Sequence, residues 1–236
     1  MARAAPRDLR SDGLAMGKPL DRIDPKLRAW IAKQALFFVA TAPGGKGGHV
    51  NLSPKGPIGS LRVLDDTTVA YLDVVGSGAE TIAHLKDNRR IVLMLCAFEG
   101  PPRILRIHGK GRVVFPRARE FDELLARARF VDPGLPAARR AIIVVSVERV
   151  ADSCGYGVPL LQFEGLRPQM AAWAKKKVAD GPDAILEYQR RKNTVSIDGM
   201  PAIAPRALTP AGGGRSPARR SSSRSRPRRP RRGAGG

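Results

Sequence analysis

The chain has 236 residues, with 42 Lys and Arg against 21 Asp and Glu, which gives a formal net charge of +21. A chain of this length can bury one sizeable core, and its two cysteines exclude a disulfide framework. No apolar run reaches the roughly 20 residues of a membrane span, and residues 1–17 lack the apolar segment of a secretory signal. We therefore expect a cytoplasmic protein without membrane contact.

Seven short apolar segments predict β-strands. They are rich in β-branched residues and are separated by Gly, Asp-Asp or Pro-Pro, which is typical of an antiparallel meander. Gly109 and Gly111 in the sixth segment indicate a bulge or a bend. The segments are residues 36–41, 50–53, 61–64, 69–72, 90–98, 103–115 and 141–150.

Five helices are predicted around these strands. Asp24-Pro25 is typical of a helix start, and Ser77 with Glu80 has the spacing of a capping box for a short helix that ends near Asn88. Three further segments, 117–130, 168–179 and 182–191, have apolar residues at helical spacing. The expected fold is mainly β with flanking helices, with a barrel domain at residues 18–152 and a helical extension at 153–204.

The charged end of the chain needs a separate interpretation. Residues 201–236 hold ten Arg and no Asp or Glu, so they carry a formal charge of +10, and residues 1–200 carry the remaining +11. Such a segment cannot offset its ordering entropy by burial, so we expect residues 205–236 to be disordered, and also residues 1–17. The basic end is either a solvated extension or a nonspecific binder of nucleic acid or another polyanion, with an affinity that falls as salt rises.

Two groups of polar residues are candidates for a ligand site. Asn51, Ser53 and Lys55 alternate along a strand and share one face, where they form either the wall of a polar cofactor site or a solvent-facing edge. Ser77, Gly78 and Thr81 lie at the start of the short helix, where backbone N–H groups favour an anion. The alternative is a capped helix that binds nothing.

Other chemistry is poorly supported by the sequence. Arg106 is a candidate for a phosphate contact, or else a surface or ion-paired arginine. The three histidines and two cysteines show no metal-ligand spacing, and no nucleophile elbow, Walker loop or Rossmann fingerprint is present. We therefore expect no metal site, and any demanding chemistry would come from a bound cofactor.

The order of these motifs resembles the pyridoxamine 5′-phosphate oxidase-related, FMN-binding split-barrel proteins over about residues 24–203. This resemblance implies a six-stranded Greek-key barrel, a homodimer and FMN at the dimer interface, near residues 53–55 and 77–81. It implies an FMN-dependent oxidoreductase acting on a small molecule, and we hypothesise that Lys55 or Arg106 is the donor that stabilises the reduced flavin. Related barrels use deazaflavin F420 or haem instead. The motifs are residues 49–56, 76–81, 88–90, 105–109, 153–159 and 192–201.

Two departures from the oxidases argue against oxidation of pyridoxamine phosphate. The oxidases carry Ser-Arg-Lys at the turn, whereas here Ser77 is followed by Gly78, Ala79 and Glu80. Their C-terminal Arg-Leu-x-Pro segment is also absent, and helices and the Arg-rich end follow the barrel instead. The substrate is therefore expected to differ.

Overall fold

One antiparallel sheet of seven strands organises the chain, and the computed structural model describes residues 20–45, 47–132 and 136–208. Each of the seven apolar segments forms one strand, as predicted. The strands are β1 (Phe37–Thr41), β2 (Asn51–Lys55), β3 (Leu61–Asp65), β4 (Thr68–Val74), β5 (Arg90–Cys96), β6 (Ile104–Val114) and β7 (Arg139–Ser153).

The strand order is β2-β1-β5-β6-β7-β4-β3, so β2 and β3 are the two edges of the sheet. The predicted six-stranded barrel was wrong in two respects, because the sheet has seven strands and is not closed. The described ladders leave β2 unpaired with β3. Pro54 in β2 has no N–H to donate, which suits an edge strand. The sheet is therefore split open along β2.

Helices cover parts of this sheet. Asp24 caps α1 through a 2.7 Å hydrogen bond from the Leu27 N–H to its carboxylate, as the Asp24-Pro25 pattern predicts. Short 3-10 helices lie at Pro136–Ala138 and Pro205–Leu208. The α-helices are α1 (Pro25–Ile31), α2 (Glu80–Asp87), α3 (Arg119–Ala128), α4 (Gln169–Asp180) and α5 (Ala184–Lys192).

Three clusters of buried apolar residues hold these elements together. The main core joins α1 to one face of the sheet, which we call the inner face and which carries Phe37 and Val39. A second cluster packs Phe121 of α3 on the opposite side of β4 and β7. A third packs Ile82 of α2 against Ile203 and its neighbours near the C-terminal end. The helical extension thus completes the packing around α2.

The predicted irregularity in β6 is present. The ladder between β6 and β7 shifts register between His108 and Gly109, which is the behaviour of a β-bulge. At Gly109 a Cβ atom would collide with the backbone carbonyl of Ser146 and approach Val145. A residue without a side chain is therefore required where these two strands make their closest approach.

We expect Gly109→Ala to lower the free energy of unfolding by about 1–3 kcal/mol, the usual cost of forcing a group into a filled space. The measurement is urea unfolding followed by circular dichroism. Gly157→Ala is the matched control, because a Cβ there meets nothing within 4 Å, and its expected change is below about 0.5 kcal/mol. Equal stabilities for the two variants would contradict the close approach.

The ends of the chain lie mostly outside the described residues. The predictions for residues 1–17, and the proposed polyanion binding by the Arg-rich end beyond Leu208, both fall there. Residues 205–208 form a 3-10 helix, and Leu208 is buried. The described part of the chain therefore includes residues on both sides of the boundary predicted at residue 204.

Candidate functional site

The three polar residues of β2 share the inner face of the sheet. Cross-strand partners in a ladder lie on the same face, and Ser53 and Lys55 are paired with the inner-face residues Val39 and Phe37. Because β2 is an edge strand, this polar row lines the open side of the sheet. The prediction that the three side chains share one face agrees with this register.

Lys55 belongs to a charged triad that spans the opening. Its Nζ donates to Asp73 Oδ1 at 3.0 Å, and Nε of Arg140 donates to Asp73 Oδ2 at 2.7 Å. Asp73 and Arg140 are buried and Lys55 is partly exposed. Burial disfavours the Asp73 carboxylate, but the charges of Arg140 and then Lys55 outweigh it and lower its pKa to about 2. Two cations face one carboxylate, so the triad carries a net charge of +1.

Asn51 joins the β2 row to α2. Its Nδ2 donates to Thr81 Oγ1 at 3.0 Å and to Thr41 Oγ1 at 3.2 Å, and its Oδ1 accepts from Ser53 Oγ at 3.0 Å. The structure therefore brings Asn51, Ser53 and Thr81 together. Thr41, Ser53 and Thr81 are each hydrogen-bonded to Asn51, so this part of the opening is preorganised.

The same network reaches a buried histidine that the sequence did not single out as a site residue. Nδ1 of His84 lies 3.0 Å from Thr41 Oγ1. The Thr41 hydroxyl oxygen can accept two hydrogen bonds and donate one, so the direction of its contact with His84 depends on the imidazole tautomer. Nε2 is buried and has no hydrogen-bond partner in the described structure.

The turn before α2 differs from its predicted form. The helix begins at Glu80 with Ala79 as its N-cap, and no side chain caps it, so the Ser77–Glu80 capping box was wrong. Ser77 is exposed. The Glu80 carboxylate lies over Gly78 instead, and it accepts from the Ile197 N–H at 3.3 Å. A negative side chain thus occupies the position where an anion was expected.

The backbone of this turn is held by two more distant side chains. The Gly78 carbonyl accepts from Arg140 Nη1 at 2.6 Å and from Asn193 Nδ2 at 3.4 Å. Asn193 Nδ2 also donates to the Gly76 carbonyl at 2.9 Å. These contacts hold the carbonyl groups of the turn toward the protein. With the turn in this conformation, Ala79 rather than Ser77 is the N-cap residue of α2.

The segment at residues 193–203 closes over this region. Asp198 accepts from the His49 backbone N–H at 2.9 Å and contacts His49 Nδ1 at 2.6 Å. The His49 backbone N–H, followed by its side chain, lowers the pKa of Asp198. Lys86 Nζ donates to the Ala202 carbonyl at 2.8 Å. The sequence indicated only a compact polar segment here, and its role as a cover was missed.

Arg106 lies away from the other candidates. Its neighbours in the ladders are Met94 and Ala151, and it occupies the face of the sheet opposite to Leu105 and Ile107 of the main core. We call this the outer face. Arg106 Nη1 donates to Ser153 Oγ at 3.0 Å. Within one protomer, therefore, Arg106 does not converge with Asn51, Ser53, Lys55 and Thr81.

The described ranges contain neither a metal-binding cluster nor a membrane-spanning helix. No group of three His, Cys, Asp or Glu side chains there is placed to hold a metal ion. None of the helices in that part of the chain has the length and apolar character needed to cross a membrane. Cys96 is buried and Cys154 exposed, and neither forms a disulfide.

Comparison with known proteins gives two consistent sequence matches. Residues 23–154 match the family model described as pyridoxamine 5′-phosphate oxidase. A protein of Aspergillus flavus, the pyridoxamine 5′-phosphate oxidase family protein ustO, is 36% identical over 199 residues. That alignment covers 78% of this chain and 76% of the fungal protein.

Solved structures show weaker similarity. HupZ of group A Streptococcus is 25% identical over 54% of this chain and 91% of its own, with a TM-score of 0.41. An FMN-binding protein of Syntrophomonas wolfei is 17% identical over 57% and 85%, with a TM-score of 0.38. A FAD-binding protein of Mesorhizobium loti is 12% identical over 57% and 95%, with a TM-score of 0.37.

Proposed function

Because the chain belongs to the pyridoxamine 5′-phosphate oxidase family, we propose that it is a flavin-dependent oxidoreductase that binds FMN and acts on a small molecule. The flavin would supply the electron or hydride transfer. The protein would bind and orient it at the open side of the sheet. Deazaflavin F420 and haem are the alternative cofactors.

The polar row on β2 carries this proposal. Asn51, Ser53 and Lys55 present hydrogen-bonding groups along an edge that the sheet itself leaves open. Lys55 has three N–H donors and uses one on Asp73. Its ammonium group, on a triad with net charge +1, is therefore suited to an anionic group or an electron-rich carbonyl of the cofactor.

The turn at residues 77–81 fits a phosphate less well than the sequence suggested. Glu80 would repel the phosphate, and the carbonyls of Gly76 and Gly78 are already fixed by Asn193 and Arg140. We therefore assign the main attraction for the anionic end of the cofactor to Lys55. Thr81 and Ser53 would contribute hydroxyl groups through the Asn51 network.

The outer face supports a homodimer as the working form. Ladder registers place Pro54, Phe38, Met94 and Arg106 in one row across four strands. Val50 and Leu52, next to this row, are 74% and 62% exposed. Contiguous apolar surface of this kind is typical of an interface. In a dimer formed through the outer faces, Arg106 would lie at the interface and approach the cofactor from that side.

The direct test is the visible absorption spectrum of the purified protein, alone and after addition of FMN. We expect a flavin spectrum and saturable binding. Lys55→Met retains the length of the side chain but removes its charge, and should weaken FMN binding by about 10–100-fold, the worth of a charged hydrogen bond.

Lys175→Met is the control for this titration, because Lys175 is an exposed residue of α4, which packs on α5 and not on β2. Its FMN affinity should equal that of the unaltered protein. A colourless protein that leaves added FMN unbound would refute the proposal, whereas a haem or F420 spectrum would replace FMN with that cofactor.

A further inference from the structure

A cavity is lined by residues that lie outside the β2 row. It has a volume of about 290 Å³, close to the lower limit for small-molecule sites. α3, α5 and the 3-10 helix Pro205–Leu208 meet around it. Most of its wall is apolar, including Phe115, Phe121, Leu125, Leu186, Ile203 and Leu208.

Two buried polar side chains line this apolar cavity. Gln189 of α5 and Arg140 of β7 are each only 5% exposed. The Gln189 amide makes no hydrogen bond with any described residue. The amide is not among the side-chain groups that the described structure buries completely without a partner, so it keeps contact with solvent and can hydrogen-bond a ligand group in the cavity.

Arg140 has unused donors at the same wall. Its Nε is bonded to Asp73 and its Nη1 to the Gly78 carbonyl. Nη2 has no hydrogen bond within the described ranges. A guanidinium presents its N–H groups in a planar fork that matches a carboxylate. Arg140 therefore reaches from the triad at the β2 opening to this cavity.

The charge of the cavity wall favours an anion. Arg117 and Arg139 line the cavity together with Arg140, and Asp122 is the acidic residue among its lining residues. Arg139 is paired with Asp132 at 2.7 Å. The backbone φ of Arg117 is 80°, a left-handed conformation that costs free energy in a non-glycine residue and is enriched at functional sites.

We propose that this cavity, which we call the α3–α5 site, binds a small carboxylate with an apolar body. The apolar body would pack between Phe121 and Leu186, and the carboxylate would accept from Arg140 Nη2 and the Gln189 amide. The site shares Arg140 with the triad but uses none of the residues of the β2 row. It does not depend on flavin binding, because its residues lie in the third cluster and around α3.

The test is calorimetric titration of the flavin-free full-length protein with 2-naphthoate, together with the uncharged analogue 2-naphthalenemethanol. We expect saturable binding of the carboxylate and binding of the alcohol at least tenfold weaker. Gln189→Leu should weaken 2-naphthoate binding about tenfold, as expected for a lost hydrogen bond to a charged group.

Ala207→Trp tests the location without disturbing the core. Ala207 is exposed and lines the cavity, so a Trp there should block entry and abolish binding. Ala172→Trp on α4 is the same change at an exposed position that does not line the cavity, and it should leave affinity unchanged. No binding of 2-naphthoate, equal binding of the alcohol, or binding that survives Ala207→Trp would each overturn the proposal. Absence of FMN binding would leave this result unaffected.

Discussion

Asp73→Asn is expected to lower the free energy of unfolding by about 3–5 kcal/mol, because it leaves the buried Arg140 and the partly buried Lys55 without their shared carboxylate. Urea unfolding at neutral pH measures this change. Asp66→Asn is the matched control, since Asp66 pairs with Arg22 on the exposed surface and such pairs contribute below about 1 kcal/mol. Similar losses for both variants would contradict the triad.

The Asp73 carboxylate should also make the free energy of unfolding depend on pH. The folded-state pKa of Asp73 is about 2, below its usual value of 3.8, so its contribution is complete above about pH 4 and is lost as the pH falls toward 2. The difference corresponds to about 2 kcal/mol. Asp73→Asn cannot titrate, so its unfolding free energy should fall less steeply between these pH values. Parallel curves for the two proteins would exclude Asp73 as the group responsible.

Leu52→Glu is expected to weaken the homodimer by at least about 100-fold. The charge would enter the outer face of both copies without a partner, and burying an unpaired charge costs several kcal/mol. Light scattering should show the unaltered protein at twice the chain mass of 25.4 kDa and the variant near the chain mass. FMN affinity should fall in parallel, since in the proposed dimer Arg106 approaches the cofactor from the interface.

Val178→Glu provides the control for this experiment. Val178 is an exposed apolar residue of α4, and the same substitution there should leave both the mass and FMN affinity unchanged. If the unaltered protein has the mass of one chain, or if Leu52→Glu remains a dimer, the outer face is not the interface that we propose.

The strands were predictable because each is a short apolar segment bounded by turn residues. The number of strands in the sheet was not predicted correctly. The expected six strands came from the family resemblance, whereas the sequence itself contains seven apolar segments. The N-cap at Asp24 was also predictable, since that hydrogen bond joins residues three apart. Local signals of this kind depend only on neighbouring residues.

The contacts that shape the candidate site were not predictable in this way. Asp73 and Arg140 are 67 residues apart, and Asn193 is 117 residues from Gly76. At Ser77 the local capping spacing was present, but these distant side chains determine the turn. One signal was available: Asp73 is an acidic residue in the apolar strand β4, where a charge needs a partner.

The hydrogen bonds between His49 and Asp198 join residues 149 positions apart. During synthesis the chain emerges from its N-terminal end, so β2 and α2 are made long before the segment that covers them. Until Ile203 has been made, Ile82 and its neighbours in the third cluster lack one of the side chains that bury them. The third cluster is therefore complete only after residues 193–203 have been made and have packed on α2, and a nascent chain stalled before residue 193 would expose that apolar surface to chaperones.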